Sequence, residues 1–88
     1  MRISVEMSLY PLKEDYAPYI HSFLEALNAE PEISVRTNAL STQVYGEYDL
    51  VMATITAALK QQFEKGAPLS LVSKVLSVDR EQSHWNNS

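Results

Sequence analysis

An α+β fold of the ferredoxin-like kind is predicted: a βαββαβ chain whose two helices cover one face of an antiparallel four-stranded sheet. Three observations carry it. Ile3, Val5, Met7 and Leu9 alternate with Ser4, Glu6, Ser8 and Tyr10, the period of a strand with one apolar face. Two later stretches repeat their apolar residues at helical spacing. Two β-rich runs stand between those helices and a third follows them, which is the split βαβ order.

The first strand runs from Arg2 to Tyr10, and Pro11 is expected to end it because proline donates nothing to a ladder. Asp15 is the expected N-cap of the first helix, with Pro18 tolerated in its first turn. Tyr19, Ile20, Phe23, Leu24 and Leu27 form the apolar stripe, and the helix ends near Asn28. Glu30-Pro31-Glu32 breaks the chain. Ile33, Val35 and Thr37 alternate with polar residues as a second strand, Asn38 to Leu40 turns, and Ser41 to Tyr45 returns antiparallel, closed by Gly46.

Asp49 is the expected cap of the second helix, with Glu47 favourable near its positive end. Val51, Met52, Ile55, Ala58, Leu59 and Phe63 make its buried stripe, with Lys65 in the last turn and Gly66 beyond. Pro68 prevents continuation, and Leu69 to Val78 supplies the fourth strand. Residues 1–79 thus read as one ferredoxin-like domain, with 80–88 as a polar tail. The stretch from Asp79 onward is expected to fray, Trp85 alone offering an apolar anchor.

Composition narrows the function. The 88 residues carry 7 Lys+Arg against 11 Asp+Glu, a net charge of -4 that repels nucleic acid. Without cysteine there is no disulfide or thiolate metal site. Glu6 and Ser8 interrupt any secretory signal, and no run approaches the roughly 20 apolar residues of a membrane span, so a cytoplasmic protein is expected. No cofactor is called for. His21 lies on the first helix away from Phe23, and His84 lies in the tail. No serine stands in a Gly-x-Ser-x-Gly elbow, and Gly46 and Gly66 cannot build a phosphate loop. Catalysis is therefore the weaker class, and the chain reads as a non-enzyme.

Binding is better supported. In this topology the first and third strands are central neighbours. If Val44 faces the helices, then Ser41, Gln43 and Tyr45 lie on the helix-free face beside Glu6, Ser8 and Tyr10. Phenol rings stack on flat heterocycles and attract cations, a carboxylate pairs with positive charge, and hydroxyls and amides read ring nitrogens.

The segments Ser8-Leu9-Tyr10-Pro11-Leu12 and Leu40-Ser41-Thr42-Gln43-Val44-Tyr45-Gly46, followed by Asp49 and Val51, resemble the YkoF-like thiamine/hydroxymethylpyrimidine-binding family. The similarity extends over roughly Ile3 to Val78. It implies a ferredoxin-like unit that binds thiamine or its hydroxymethylpyrimidine precursor without transforming it, in connection with uptake or salvage. Tyr10, Ser41 and Thr42 fall in the matching motifs and are the first expected ligand contacts. Ser8 and Asn38 follow, and strand parity adds Glu6, Gln43 and Tyr45. Some family members carry two such units in tandem. The single unit here implies that identical chains pair, as a homodimer or larger assembly, an expectation that the two-sided apolar character of Leu71, Val72, Val75, Leu76 and Val78 supports independently. The -4 charge favours thiamine or hydroxymethylpyrimidine over thiamine diphosphate. Two rivals are a regulatory or oligomerisation module without ligand and an acyl-phosphate hydrolase; the latter lacks its arginine loop, because Pro11-Leu12-Lys13 fills that place.

Overall fold

The computed structural model describes residues 1–81. The elements are β1 (Arg2–Pro11), α1 (Ala17–Asn28), β2 (Ser34–Thr37), β3 (Thr42–Glu47), α2 (Tyr48–Phe63) and β4 (Leu69–Leu76). The sheet order is β2-β3-β1-β4, with every neighbouring pair antiparallel. The architecture is the expected ferredoxin-like βαββαβ sandwich, with β1 and β3 in the centre.

Alternation on β1 and β3 decides which face is covered. Ile3, Val5, Met7 and Val44 are buried together with Phe23 and Leu27 of α1 and Val51, Ile55 and Ala58 of α2. Burying such side chains is worth roughly 1.5–3 kcal/mol each, so this one layer dominates the stability of the fold. Gly46 belongs to β3 rather than closing it, and a side chain there would be crowded by α2 and the residue before β2: a Cβ at this position would come within 3.1 Å of Val51 and 3.2 Å of Ile33.

Several local expectations shift. Pro11 is the last residue of β1, not the one beyond it; its place in the outermost pair, opposite Leu69, lets a residue without an N–H stay in the strand. Tyr16, not Asp15, occupies the N-cap of α1, and Glu47, not Asp49, that of α2; neither helix has a side-chain cap, and Asp49 falls in the first turn of α2. Lys60 rather than Lys65 lies in the last turn of α2. Phe63 is half exposed, while the neighbouring Gln62 is fully buried, because Val51, Ile55, Ala58 and Gln62 continue one unbroken stripe. Gln62 Nε2 donates to Ser22 Oγ on α1 at 3.0 Å, which satisfies the donor half of this buried amide, while its Oε1 has no hydrogen-bond partner among the described residues.

The largest difference concerns residues after β4. Val78 to Glu81 is not frayed. Ser4 Oγ donates to the Val78 carbonyl (2.7 Å) and accepts from Arg80 N–H (2.8 Å). Arg2 Nε meets Asp79 at 2.7 Å, and Glu81 receives Ser34 Oγ and Arg36 Nε. This strap leaves β4, bonds to β1 and ends on β2, so it crosses the helix-free face at one end of the sheet. His84 and Trp85 lie outside the described residues.

Candidate functional site

The two ends of β1 differ in pairing. From Arg2↔Glu47 to Met7↔Thr42 it pairs continuously with β3. There the ladder stops, although β1 continues through Pro11 against β4. Beyond Met7 the β2–β3 turn bends away. Asn38 N–H donates to the Ser41 carbonyl at 3.0 Å, and Asn38 Oδ1 accepts from Leu40 N–H (2.8 Å) and Ser41 N–H (3.0 Å). This Asx-type turn pulls residues 38–41 out of the strand line. Ser8 Oγ spans the gap to the Leu40 carbonyl only at a long 3.4 Å.

A hollow of about 220 Å³ lies at this splay, bounded by Ser8 to Tyr10, the turn from Thr37 to Thr42, and Ile20 and Leu24 of α1. Both strand parities line it, because it is the space between strands rather than a dish on one face. All five leading sequence-predicted residues, Tyr10, Ser41, Thr42, Ser8 and Asn38, meet here. Thr42 is buried and its hydroxyl pairs with that of Thr37 at 3.1 Å. Half of Tyr10 is exposed. Ile20 and Leu24 supply the apolar wall; their helical spacing marked them as core, and only the splay turns part of that stripe towards a cavity.

The parity-based residues Glu6, Gln43 and Tyr45 lie elsewhere. Glu6 faces Gln43 across the ladder, and Tyr45 faces Ser4 near the strap. Tyr45 and Tyr10 therefore stand towards opposite ends of the sheet and cannot grip one small ring together, contrary to the clustered phenols expected. Gln43 Nε2 donates to Ser41 Oγ at 2.7 Å, Ser41 Oγ donates to Glu6 Oε2 at 3.0 Å, and Lys74 Nζ lies 3.3 Å from Glu6 Oε1. The Ser41 hydrogen bond, followed by Lys74, holds the Glu6 carboxyl below its ordinary range. A trough of about 350 Å³ runs over this network, bounded by Glu6, Ser8, Leu40, Ser41, Val72, Ser73 and Lys74. It shares Ser8, Leu40 and Ser41 with the hollow at the splay, so the two spaces meet along that line.

Among the described residues no group of three or more His, Cys, Asp or Glu side chains could hold a metal ion, and no helix is long and apolar enough to cross a membrane. The arrangement offers hydrogen-bonding groups and aromatic surface. Lys74 and Ser41 already engage the one carboxylate beside it.

The class is thus a ferredoxin-like sandwich with a hollow of mixed polar and apolar lining at one end of its sheet. The chain belongs to the thiamine-binding protein family, whose model matches residues 5–85. Among solved structures it is similar to a Streptococcus pneumoniae protein (18% identity, TM-score 0.81, covering 93% of this chain and 92% of that one). It is also similar to a candidate thiamine biosynthesis/salvage protein of Thermotoga maritima (17%, TM-score 0.77, covering 89% and 85%). A Bacillus cereus domain of unknown function is a third (17%, TM-score 0.71, covering 90% and 78%). At these identities the likeness is one of fold. None of the curated proteins compared matches the chain.

Proposed function

We propose that this protein binds thiamine or its hydroxymethylpyrimidine precursor without catalysis, in the service of uptake or salvage in the cytoplasm. The observation that carries the reading is the convergence of Tyr10, Ser41, Thr42, Ser8 and Asn38 on the hollow where β1 and the β2–β3 turn part. Family membership supports the ligand class. Size decides the pose. About 220 Å³ falls below the ~300 Å³ at which sites for drug-sized molecules begin, so the hollow suits one ring rather than two. The pyrimidine occupies it, and the thiazolium of thiamine passes the Ser8–Leu40–Ser41 line into the trough beside Glu6. Lys74 must yield some of its hold on Glu6 when that cation arrives.

The pairing of identical chains belongs to the same reading. Val72 and Leu76 of β4 and the following Val78 are all at least two-fifths exposed, and a second copy would cover them. Light scattering at micromolar concentration is expected to give a dimer or larger species; a monodisperse monomer would remove this part.

Calorimetry and thermal shift with thiamine, hydroxymethylpyrimidine and thiamine diphosphate test the binding. The first two are expected to bind and the diphosphate to bind more weakly, given the net charge of -4. A ligand at a hundredfold excess over its dissociation constant raises stability by about 2.7 kcal/mol. Tyr10→Ala should cut that rise with little change in the free protein, since the ring is half exposed. Failure of both thiamine and hydroxymethylpyrimidine to bind refutes the proposal.

A further inference from the structure

We infer that the main chain of Leu9 is the specificity element of this hollow, reading a neighbouring pair of one acceptor and one donor on the edge of a flat heterocycle. The inference rests on the binding reading above and goes beyond it by naming the atoms that choose the ring.

In an antiparallel sheet the N–H and C=O of one residue point to the same side, and successive residues alternate. Two hydrogen bonds fix the phase of β1. Tyr48 N–H donates to the Met1 carbonyl at 2.8 Å, so Met1 and the other odd residues aim towards β3. Leu12 N–H donates to the Pro68 carbonyl at 2.8 Å, so the even residues aim towards β4. Ile3, Val5 and Met7 accordingly spend both main-chain groups on Gly46, Val44 and Thr42. Leu9 is next in that series. Its side of the ladder has ended, and Leu40, which would have faced it, turns its N–H to Asn38 Oδ1 instead. Among the described residues no hydrogen bond reaches the Leu9 N–H or C=O. Both point in the plane of the sheet, into the hollow that Leu9 itself helps to line.

This leaves one strand-type docking unit, a donor and an acceptor side by side on a rigid edge. A flat ring with a ring nitrogen next to an exocyclic amine matches it: Leu9 N–H donates to the nitrogen, and the amine donates to Leu9 C=O. The 4-aminopyrimidine edge has this pattern. The ligand thus takes the place of the next residue of β3, between the apolar wall of Ile20 and Leu24 and the polar turn. A ring lacking the amine leaves the Leu9 carbonyl unpaired in a partly dry site, the costly half of a hydrogen bond.

The test uses the full ¹⁵N-labelled chain and hydroxymethylpyrimidine as probe. At saturation the Leu9 amide is expected to shift downfield and exchange with solvent at least about tenfold more slowly, as a newly paired strand amide does. The analogue without the 4-amino group should bind about tenfold more weakly. If the probe moves the Tyr10 and Thr42 signals while Leu9 exchange stays unchanged, this inference is wrong and the binding reading survives. An amine-free analogue that binds as tightly as the probe also overturns it. If no signal moves at any probe concentration, both fall together.

Discussion

The two ends of β1 were built under opposite rules. At the Arg2–Met7 end every main-chain group towards β3 is paired, the N-terminal ammonium pairs with Glu47, and the strap bonds to Ser4 and Arg2. At the Ser8–Pro11 end the same strand keeps its partner on the β4 side and loses it on the β3 side. One end fixes the fold, and the other leaves hydrogen-bonding capacity unspent. The lesson is that so small a sheet opens a hollow by stopping a ladder early rather than by adding an insertion.

The contrast can be broken most severely at the closed end. Ile3→Ala empties a side chain that is 1% exposed, and urea unfolding should show a loss of about 2–5 kcal/mol. Ser4→Ala removes the two strap hydrogen bonds that Ser4 makes and is expected to cost about 1–3 kcal/mol, with faster amide exchange at Arg80 and none of the change at Asn38. At the open end, Asn38→Ala should cost only about 1 kcal/mol of stability, because the turn loses two exposed hydrogen bonds. Its effect on hydroxymethylpyrimidine affinity should be larger than that of Ser4→Ala; equal effects would mean that the two ends are not functionally distinct.

The smallest effect is electrostatic and sits between the ends. Glu6 has its pKa lowered in the folded chain, so its share of stability is full above the ordinary value of 4.5 and fades as pH falls through the lower folded value. Ser41→Ala should move the Glu6 carboxyl titration, followed by carbon NMR, back up towards that value. Glu6→Gln should weaken thiamine more than hydroxymethylpyrimidine if the proposed pose holds, since of the two only thiamine carries a cation.

Much of this was readable from residue order. The alternation on β1 placed Ile3, Val5 and Met7 on the helix side, and the motifs around Tyr10 and Ser41 pointed to the residues that meet at the splay. What stayed hidden depends on register and on long-range partners. Periodicity assigns a face but not the residue opposite, so it could not show that Tyr45 stands by Ser4 and away from Tyr10. Phe63 looked like core because it is apolar; the stripe chose Gln62 because Ser22 on α1 takes up its amide donor. Asp79 to Glu81 looked solvated because the arginines and serines that receive them lie some 45 to 77 positions earlier in the chain. No local signal could mark Leu9, whose side chain is an ordinary strand leucine and whose distinction lies wholly in its backbone.

The strap has a kinetic side. Its bonds to Ser4 and Arg2 close loops of 74 and 77 residues, nearly the whole described chain. Contacts of that span raise contact order and are reached only after shorter pairings have drawn the sheet together. The strap is therefore expected to close late in refolding, which pulsed hydrogen exchange at the Arg80 amide checks.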